Sequence, residues 1–415
     1  MQKLLFTIFA LLSSLTTFAI EEPTDGIPTP TSATAIAVEE ENAPAPVPEA
    51  SASGSITAPT EAATKEIPVK LTTTLYSDEE LATRRSIDGE QPVMPANIII
   101  GPSKVTLFGY AQTGYTYKHT NGQTTNAFDI TRLILMANAE LTKELSFFVM
   151  FDAAAAKLHE YYAQYAFSSA LKVRVGQFKQ PYTLENIYPP TILSNIGFGN
   201  SVLYMTGIAT DPAVGNHVAR DAGIMLTGDL LPKNGRPLLN YQIGVFNGTG
   251  MSVKENNNQK SVIGMLNYMP MSSLLFSGSF ALGTSQAENA KFIGEDGAPM
   301  IKQGENYHRQ RYALGVEWKG KPLYLRSEYM WGKDAKADMQ GAYVDLEYHL
   351  IPKKLDLVAD YDYLKKIKND ETNTLTLGLQ YWLYKQCRIA SQFVHTNPKL
   401  GKISNAWVTQ FQIAF

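Results

Sequence analysis

From Val105 to Phe415 the chain repeatedly alternates apolar and polar residues, which is the two-residue period of a strand with one wet face. In TLTLGLQYWL, Leu375, Leu377, Leu379, Tyr381 and Leu383 oppose Thr374, Thr376, Gly378 and Gln380. In LDLVADYDY, Leu355, Leu357, Ala359, Tyr361 and Tyr363 oppose Asp356, Val358, Asp360 and Asp362. The chain ends on the same pattern: in NAWVTQFQIAF, Trp407, Thr409, Phe411, Ile413 and Phe415 face away from Val408, Gln410, Gln412 and Ala414.

Sixteen such runs begin near residues 105, 127, 145, 158, 171, 218, 238, 259, 273, 306, 323, 339, 354, 372, 387 and 404. Most have the ten or so residues that a tilted strand needs to cross a bilayer. The links after even-numbered runs are short: TKE, SSA, PKNGRP, PMSS, KGKP, IPKK and YKQ. Links after odd-numbered runs are often long, notably Lys179 to Asn216 and Thr284 to Asn306, and the first hairpin, Val105 to Leu141, is read with a loop at Lys118 to Asn126. Short turns on one side, long loops on the other and an even strand number are the arrangement of an outer-membrane barrel. A soluble sandwich has no reason to sort its links this way, and it would bury the apolar faces. The expected fold is therefore all-β: a transmembrane antiparallel β-barrel of about 16 strands over residues 101–415, its polar faces lining a water-filled lumen. Tyr115, Phe147, Tyr165, Phe167, Tyr329, Trp331, Tyr348, Tyr363, Trp407 and Phe415 fall near run ends, as belts at the two headgroup layers would.

The N-terminal quarter has a different composition. Met1-Gln2-Lys3, the apolar run LLFTIFALL, and Thr17 and Ala19 at the spacing of a cleavage site read as a secretory signal peptide over residues 1–19. Residues 20–100 are expected to form a low-complexity periplasmic spacer, rich in Pro, Ala and Glu as in ENAPAPVPEASASGSITAP. Such a stretch has too little apolar surface to offset the entropy of ordering, so it is read as disordered. Ser77 to Arg85 is compatible with a short helix opened by Ser77-Asp78-Glu79-Glu80 or with a loosely structured lead-in. The charge divides at the same place: 14 acidic and 4 basic side chains in residues 20–100, against 31 basic and 25 acidic in residues 101–415. Cys387 is the only cysteine and can form no internal disulfide.

Three segments, VRVGQFKQPYTLEN (Val173 to Asn186), ARDAGIMLTG (Ala219 to Gly228) and YQIGVFNGTG (Tyr241 to Gly250), resemble the phosphate-selective porin O and P family of Gram-negative bacteria. The resemblance extends over essentially all of residues 101–415. It implies a sixteen-stranded homotrimeric porin whose third extracellular loop, here Lys179 to Asn216, folds into the lumen, with clustered lysines near the constriction and arginines along the wall. Lys179 could then face the constriction, and Lys172 and Arg174 alternate inward on its strand. Arg309, Arg311, Arg326 and Arg388 are candidate wall arginines by the same alternation, since a lipid-facing Arg or Lys costs about 2–4 kcal/mol at the midplane.

The sequence also departs from that pattern. Between Asn186 and Asn216 there is no Lys or Arg, and Asp211 is the one charged residue. Asp152, Glu317, Glu328, Asp345, Glu347, Asp356, Asp360 and Asp362 alternate inward too, so a mixed wall with at most a weak anion preference is expected. The function expected is passive diffusion of small hydrophilic solutes or anions, with outer-membrane lipids and the barrel assembly machinery as partners. Phe415 resembles the C-terminal aromatic that serves as the assembly signal of such barrels. The alternative is a structural or adhesive barrel without a transport role. Of the six histidines, His349 lies beside Glu347 in the pattern, but no Gly-x-Ser-x-Gly elbow and no metal-spaced His pair stands out. Neither catalysis, a metal, a cofactor nor nucleic acid is expected.

Overall fold

The computed structural model describes residues 71–73, 96–100, 103–208, 218–288, 291–293, 299–366, 370–384 and 386–415. The signal-peptide reading, most of the spacer and the segment Ser77 to Arg85 lie outside the described residues. Two short strands fall within the span assigned to the spacer, β1 (Leu71–Thr73) and β2 (Ala96–Ile100), which pair with each other.

Sixteen strands then close into one antiparallel ring. They are β3 (Ser103–Thr120), β4 (Gln123–Glu140), β5 (Leu145–Asp152), β6 (Lys157–Ser168), β7 (Leu171–Lys179), β8 (Arg220–Lys233), β9 (Arg236–Phe246), β10 (Ser261–Met271) and β11 (Leu274–Gln286). After a small hairpin, β12 (Lys291–Ile293) and β13 (Pro299–Ile301), come β14 (Asn306–Lys319), β15 (Leu323–Asp334), β16 (Ala337–Ile351), β17 (Leu355–Lys365), β18 (Glu371–Tyr384), β19 (Cys387–Pro398) and β20 (Ser404–Ala414). Each pairs with its chain neighbour, and β20 closes the ring on β3 from Ser404↔Thr120 to Ala414↔Tyr110. Beyond the end of β20, β2 takes over its edge of β3, from Ile100↔Ser103 to Ala96↔Leu107.

The starts follow the alternation closely, with one correction at the first hairpin. There is no loop from Lys118 to Asn126, because Thr120 pairs with Gln123 around a two-residue turn. Asn121 and Gly122 adopt φ of 51° and 80°, the left-handed geometry that lets an Asn-Gly pair join twisted strands directly. On the outer face, Leu314, Leu377, Val175, Ile224, Leu266 and Tyr361 are exposed, as a lipid-facing band requires. Inward positions carry the polar set: Gln112, Gln380, Gln410 and Gln412 are buried, as are the eight carboxylates named above. No described helix is long and apolar enough to cross a membrane.

Phe415 continues the pairing of the last strand, with its N–H and C=O exchanging hydrogen bonds with Gly109 at 2.9 and 2.8 Å. Its ring lies where a Cβ on Gly109 would meet it at 2.9 Å, so Gly109 leaves room for the terminal aromatic at the seam.

Candidate pore and its inserted loop

The link from β7 to β8 turns into the barrel. It forms a short helix α1 (Leu184–Ile187), a 3-10 turn (Pro190–Ile192) and a second helix α2 (Asn200–Thr206). Almost every residue from Pro181 to Asn195 is buried. An apolar loop cannot fill a purely polar lumen, and the inward positions beneath it are apolar accordingly. Leu184, Tyr188, Ile192 and Leu193 pack on Met265, Met269 and Leu275, while Tyr182, Val202 and Met205 join Phe178, Phe246 and Ile263. The lumen expected to be water-filled is thus largely occupied over this half of the wall.

Buried carboxylates from the wall hold the starts of both helices, where the first N–H groups have no partner within the helix. Glu328 accepts from Leu184 N at 2.7 Å and Glu185 N at 3.3 Å. Asp362 accepts from Ser201 N at 3.1 Å and from the Ser201 hydroxyl. Tyr188 donates its hydroxyl to Glu317 at 2.7 Å. Two wall glycines admit this close approach: a Cβ at Gly341 would meet Ser201 Cβ at 2.8 Å, and one at Gly315 would meet Leu184 Cδ1 at 2.9 Å. Gly341→Val is therefore expected to push α2 off β16, and limited proteolysis of the folded barrel should then cut within residues 199–208, where the unaltered chain resists.

Several of the cations predicted to face the pore are bonded to the loop instead. Lys179 donates to the carbonyls of Asn186 at 2.7 Å, Tyr188 at 3.0 Å and Ile187 at 3.4 Å, which satisfies the open end of α1. Arg311 donates to Met205 O at 2.5 Å and Arg388 to Leu193 O at 2.7 Å. Arg326, 1% exposed, lies 2.9 Å from Asp345 and 3.9 Å from Glu185. Arg309 sits 3.5 Å from Asp334 and 2.6 Å from the Tyr307 hydroxyl.

The remaining two candidates lie on a different sector. Lys172 and Arg174 keep partial exposure on β7, as do Arg132 on β4, Phe148 on β5 and Tyr162 and Gln164 on β6. Lys172 is 3.8 Å from Asp229. Arg174 stacks on the Tyr162 ring at 4.1 Å, and its Nε and Nη2 both donate to Gln164 Oε1, at 3.1 and 2.9 Å. Arg132 donates to Gln112 Oε1 at 2.8 Å. The lumen is therefore two-sided: the loop reaches the inner faces of β8 to β20, and accessible surface survives along β3 to β7.

Within the loop, burial lifts the Glu185 carboxyl from its usual 4.5 to about 8, against the opposing pull of Arg326 and the Gly199 N–H. A carboxyl that binds its proton more tightly when docked loses that advantage as pH rises. Loop docking should weaken between about 4.5 and about 8 and be level outside that window. Single-channel conductance is expected to climb from acid to neutral pH, and Glu185→Gln should flatten the climb.

Residues 108–217 match the family model described as phosphate-selective porin O and P. The match covers a minority of the chain, whose fold is that of an outer-membrane porin barrel. The match spans β3 to β7 and the inserted loop, and it ends before the segments Ala219 to Gly228 and Tyr241 to Gly250 that resemble the same family. Several solved structures share this fold. An anion-selective porin from Comamonas acidovorans has a TM-score of 0.56 at 14% identity, covering 75% of this chain and 100% of that one. OprB of Pseudomonas putida, in a high-pH structure, has a TM-score of 0.57 at 12% identity, covering 74% and 94%. OmpT of Vibrio cholerae, in vitro folded and in trimer form, has a TM-score of 0.55 at 12% identity, covering 76% and 100%. No curated protein matches the chain.

The matched family and the shared fold suggest a channel. The barrel does bring His349 to Asp356 at 2.7 Å and to Glu347 at 3.4 Å, with ligand atoms close enough together to surround a metal ion. Asp356 also accepts from Trp382 and Gln380, so the group reads as a hydrogen-bonded cluster of the wall. Arg132, Phe148 and Tyr162 were not among the residues singled out from the sequence. An arginine on the same strand face as Ile134, Met136 and Asn138 is the signal that could have found the first.

Proposed function

We propose that this chain is an outer-membrane porin that passes small anions along the β3 to β7 side of its lumen. One observation carries the reading: the inward cations that keep exposure, Arg132, Arg174 and Lys172, lie on that side, whereas the carboxylates of the opposite wall are buried. Buried, hydrogen-bonded carboxylates beneath a loop contribute less to the field at the path than accessible guanidinium groups do. Lys179, Arg311, Arg326 and Arg388 act as ties for the inserted loop, which sets the size limit, and Arg309 as a buried wall residue. Phosphate is one anion that such a path admits, and the family's description supports including it.

The zero-current potential in a planar bilayer under a potassium chloride gradient tests the reading. A potential of the chloride-selective sign, brought toward zero by Arg132→Gln with Arg174→Gln, is the expected result. A potassium-selective sign in the unaltered protein overturns the anion preference.

Export through a cleaved signal at residues 1–19, a homotrimer as in the OmpT neighbour, and recognition of Phe415 by the barrel assembly machinery complete the proposal. Removing Phe415 should lower the amount of heat-modifiable barrel recovered from outer membranes. Equal recovery would mean that the seam closes without it.

A further inference from the structure

On the open side of the lumen, the inner face of β3 to β7 carries a row of rings with a cation stacked on it, and beyond that cation the row continues through Phe178, 5.9 Å from Tyr162, into the packed interior. Phe108 and Phe148 lie 6.2 Å apart, Phe148 and Tyr162 stack at 5.1 Å, and Arg174 covers Tyr162 at 4.1 Å. All four side chains are half-buried, so each ring is packed on one side and accessible on part of the other. Asn138 pairs across from Phe148, and Gln164 across from Arg174. Gln164 holds the guanidinium by two nitrogens, leaving Nη1 as the one that takes no acceptor among the described residues.

We propose that this row is a binding site for small organic carboxylates with a flat apolar body. The assignment rests on the anion-preferring reading above and adds the class of solute. Three physical features favour it. The guanidinium is fixed by the Tyr162 ring and Gln164, so little rotamer entropy is lost when an anion binds. A carboxylate can be met by one guanidinium edge, while its apolar body covers the Phe148 and Phe108 rings and removes their surface from water. Inorganic phosphate fits the row less well: it has no apolar part to set against the rings. The next cation on β7, Lys172, already faces Asp229 at 3.8 Å.

The test compares benzoate, acetate and inorganic phosphate as blockers of chloride current through the full-length protein in planar bilayers. Benzoate is expected to reach half-block at a concentration on the order of tenfold below acetate, the ratio that about 1.4 kcal/mol of ring contact gives, and also below phosphate. Phe148→Leu, which keeps apolar volume but removes the ring, should bring benzoate close to acetate. Arg174→Gln should remove the block by both carboxylates. Heat-modifiable gel mobility establishes that each variant is a folded barrel.

Equal block by all three anions would overturn the proposal in favour of charge alone, and stronger block by phosphate would overturn it in favour of phosphate recognition. Benzoate preference that survives both substitutions would place the site elsewhere and also overturn it. Failure of the underlying reading looks different: the unaltered channel would give a potassium-selective zero-current potential whatever the blockers did.

Discussion

Replacing Glu328 and Asp362 together by alanine is expected to free the inserted loop and produce the largest rise in single-channel conductance of any change in the wall. Glu328 takes two backbone N–H groups at the start of α1, and Asp362 takes the N–H and hydroxyl of Ser201 at the start of α2. Each buried donor left without a partner costs about 1–3 kcal/mol, so losing both carboxylates opposes docking by several such amounts. The apolar contacts of Leu184, Tyr188 and Leu193 with Met265, Met269 and Leu275 remain and favour residence of the loop near the wall. Fluctuating conductance, with excursions to a high level, is therefore expected rather than a permanently open barrel. Recordings in planar bilayers decide it: a single unchanged level would mean that the apolar bed holds the loop without the carboxylates. The single substitutions should give smaller effects, since each leaves one helix start anchored.

The second large effect is on the outer face. Leu314 is 59% exposed near the middle of β14, where a lipid-facing charge costs about 2–4 kcal/mol. Leu314→Arg is expected to destabilise the barrel by that order in urea unfolding from bilayers. Its neighbour Ala313 is 2% exposed on the inner face of the same strand, which shows how one step along the chain moves a residue from lipid to the packed interior. A stability loss well below 1 kcal/mol for Leu314→Arg would mean that this position is covered by protein, as at a subunit contact in a trimer.

Much of the candidate site was legible in part only. The alternation marks Arg311, Arg326 and Arg388 as inward, yet it cannot tell an arginine that meets solute from one that donates to Met205, Asp345 or Leu193. Lys179 illustrates the difficulty best. Its place at the exit of β7 suggested a charge at the constriction, but seven to nine residues later the chain returns with three open carbonyls, and the ammonium caps them. The apolar composition of Pro189 to Phe198 is plain in the sequence. Its meaning depends on Met265, Met269 and Leu275, which are distant along the chain and lie on the face that alternation assigns to polar residues.

By itself the sequence determined the strand number, most strand starts, the short links after even-numbered strands and the lipid face. Those features are local: side chains alternate with a period of two, and a slip of one residue would expose every apolar face to water and every polar face to lipid. The Asn121-Gly122 turn is equally local, being set by two adjacent residues, although the alternation alone gave a longer loop there. Only the tertiary structure decided which half of the lumen is filled, which cations hold the loop, and that Arg174 joins a row of rings drawn from β3, β5 and β6. Those outcomes depend on how strands far apart in sequence meet around a closed ring and on which wall offers the loop an apolar bed, and no local period records either.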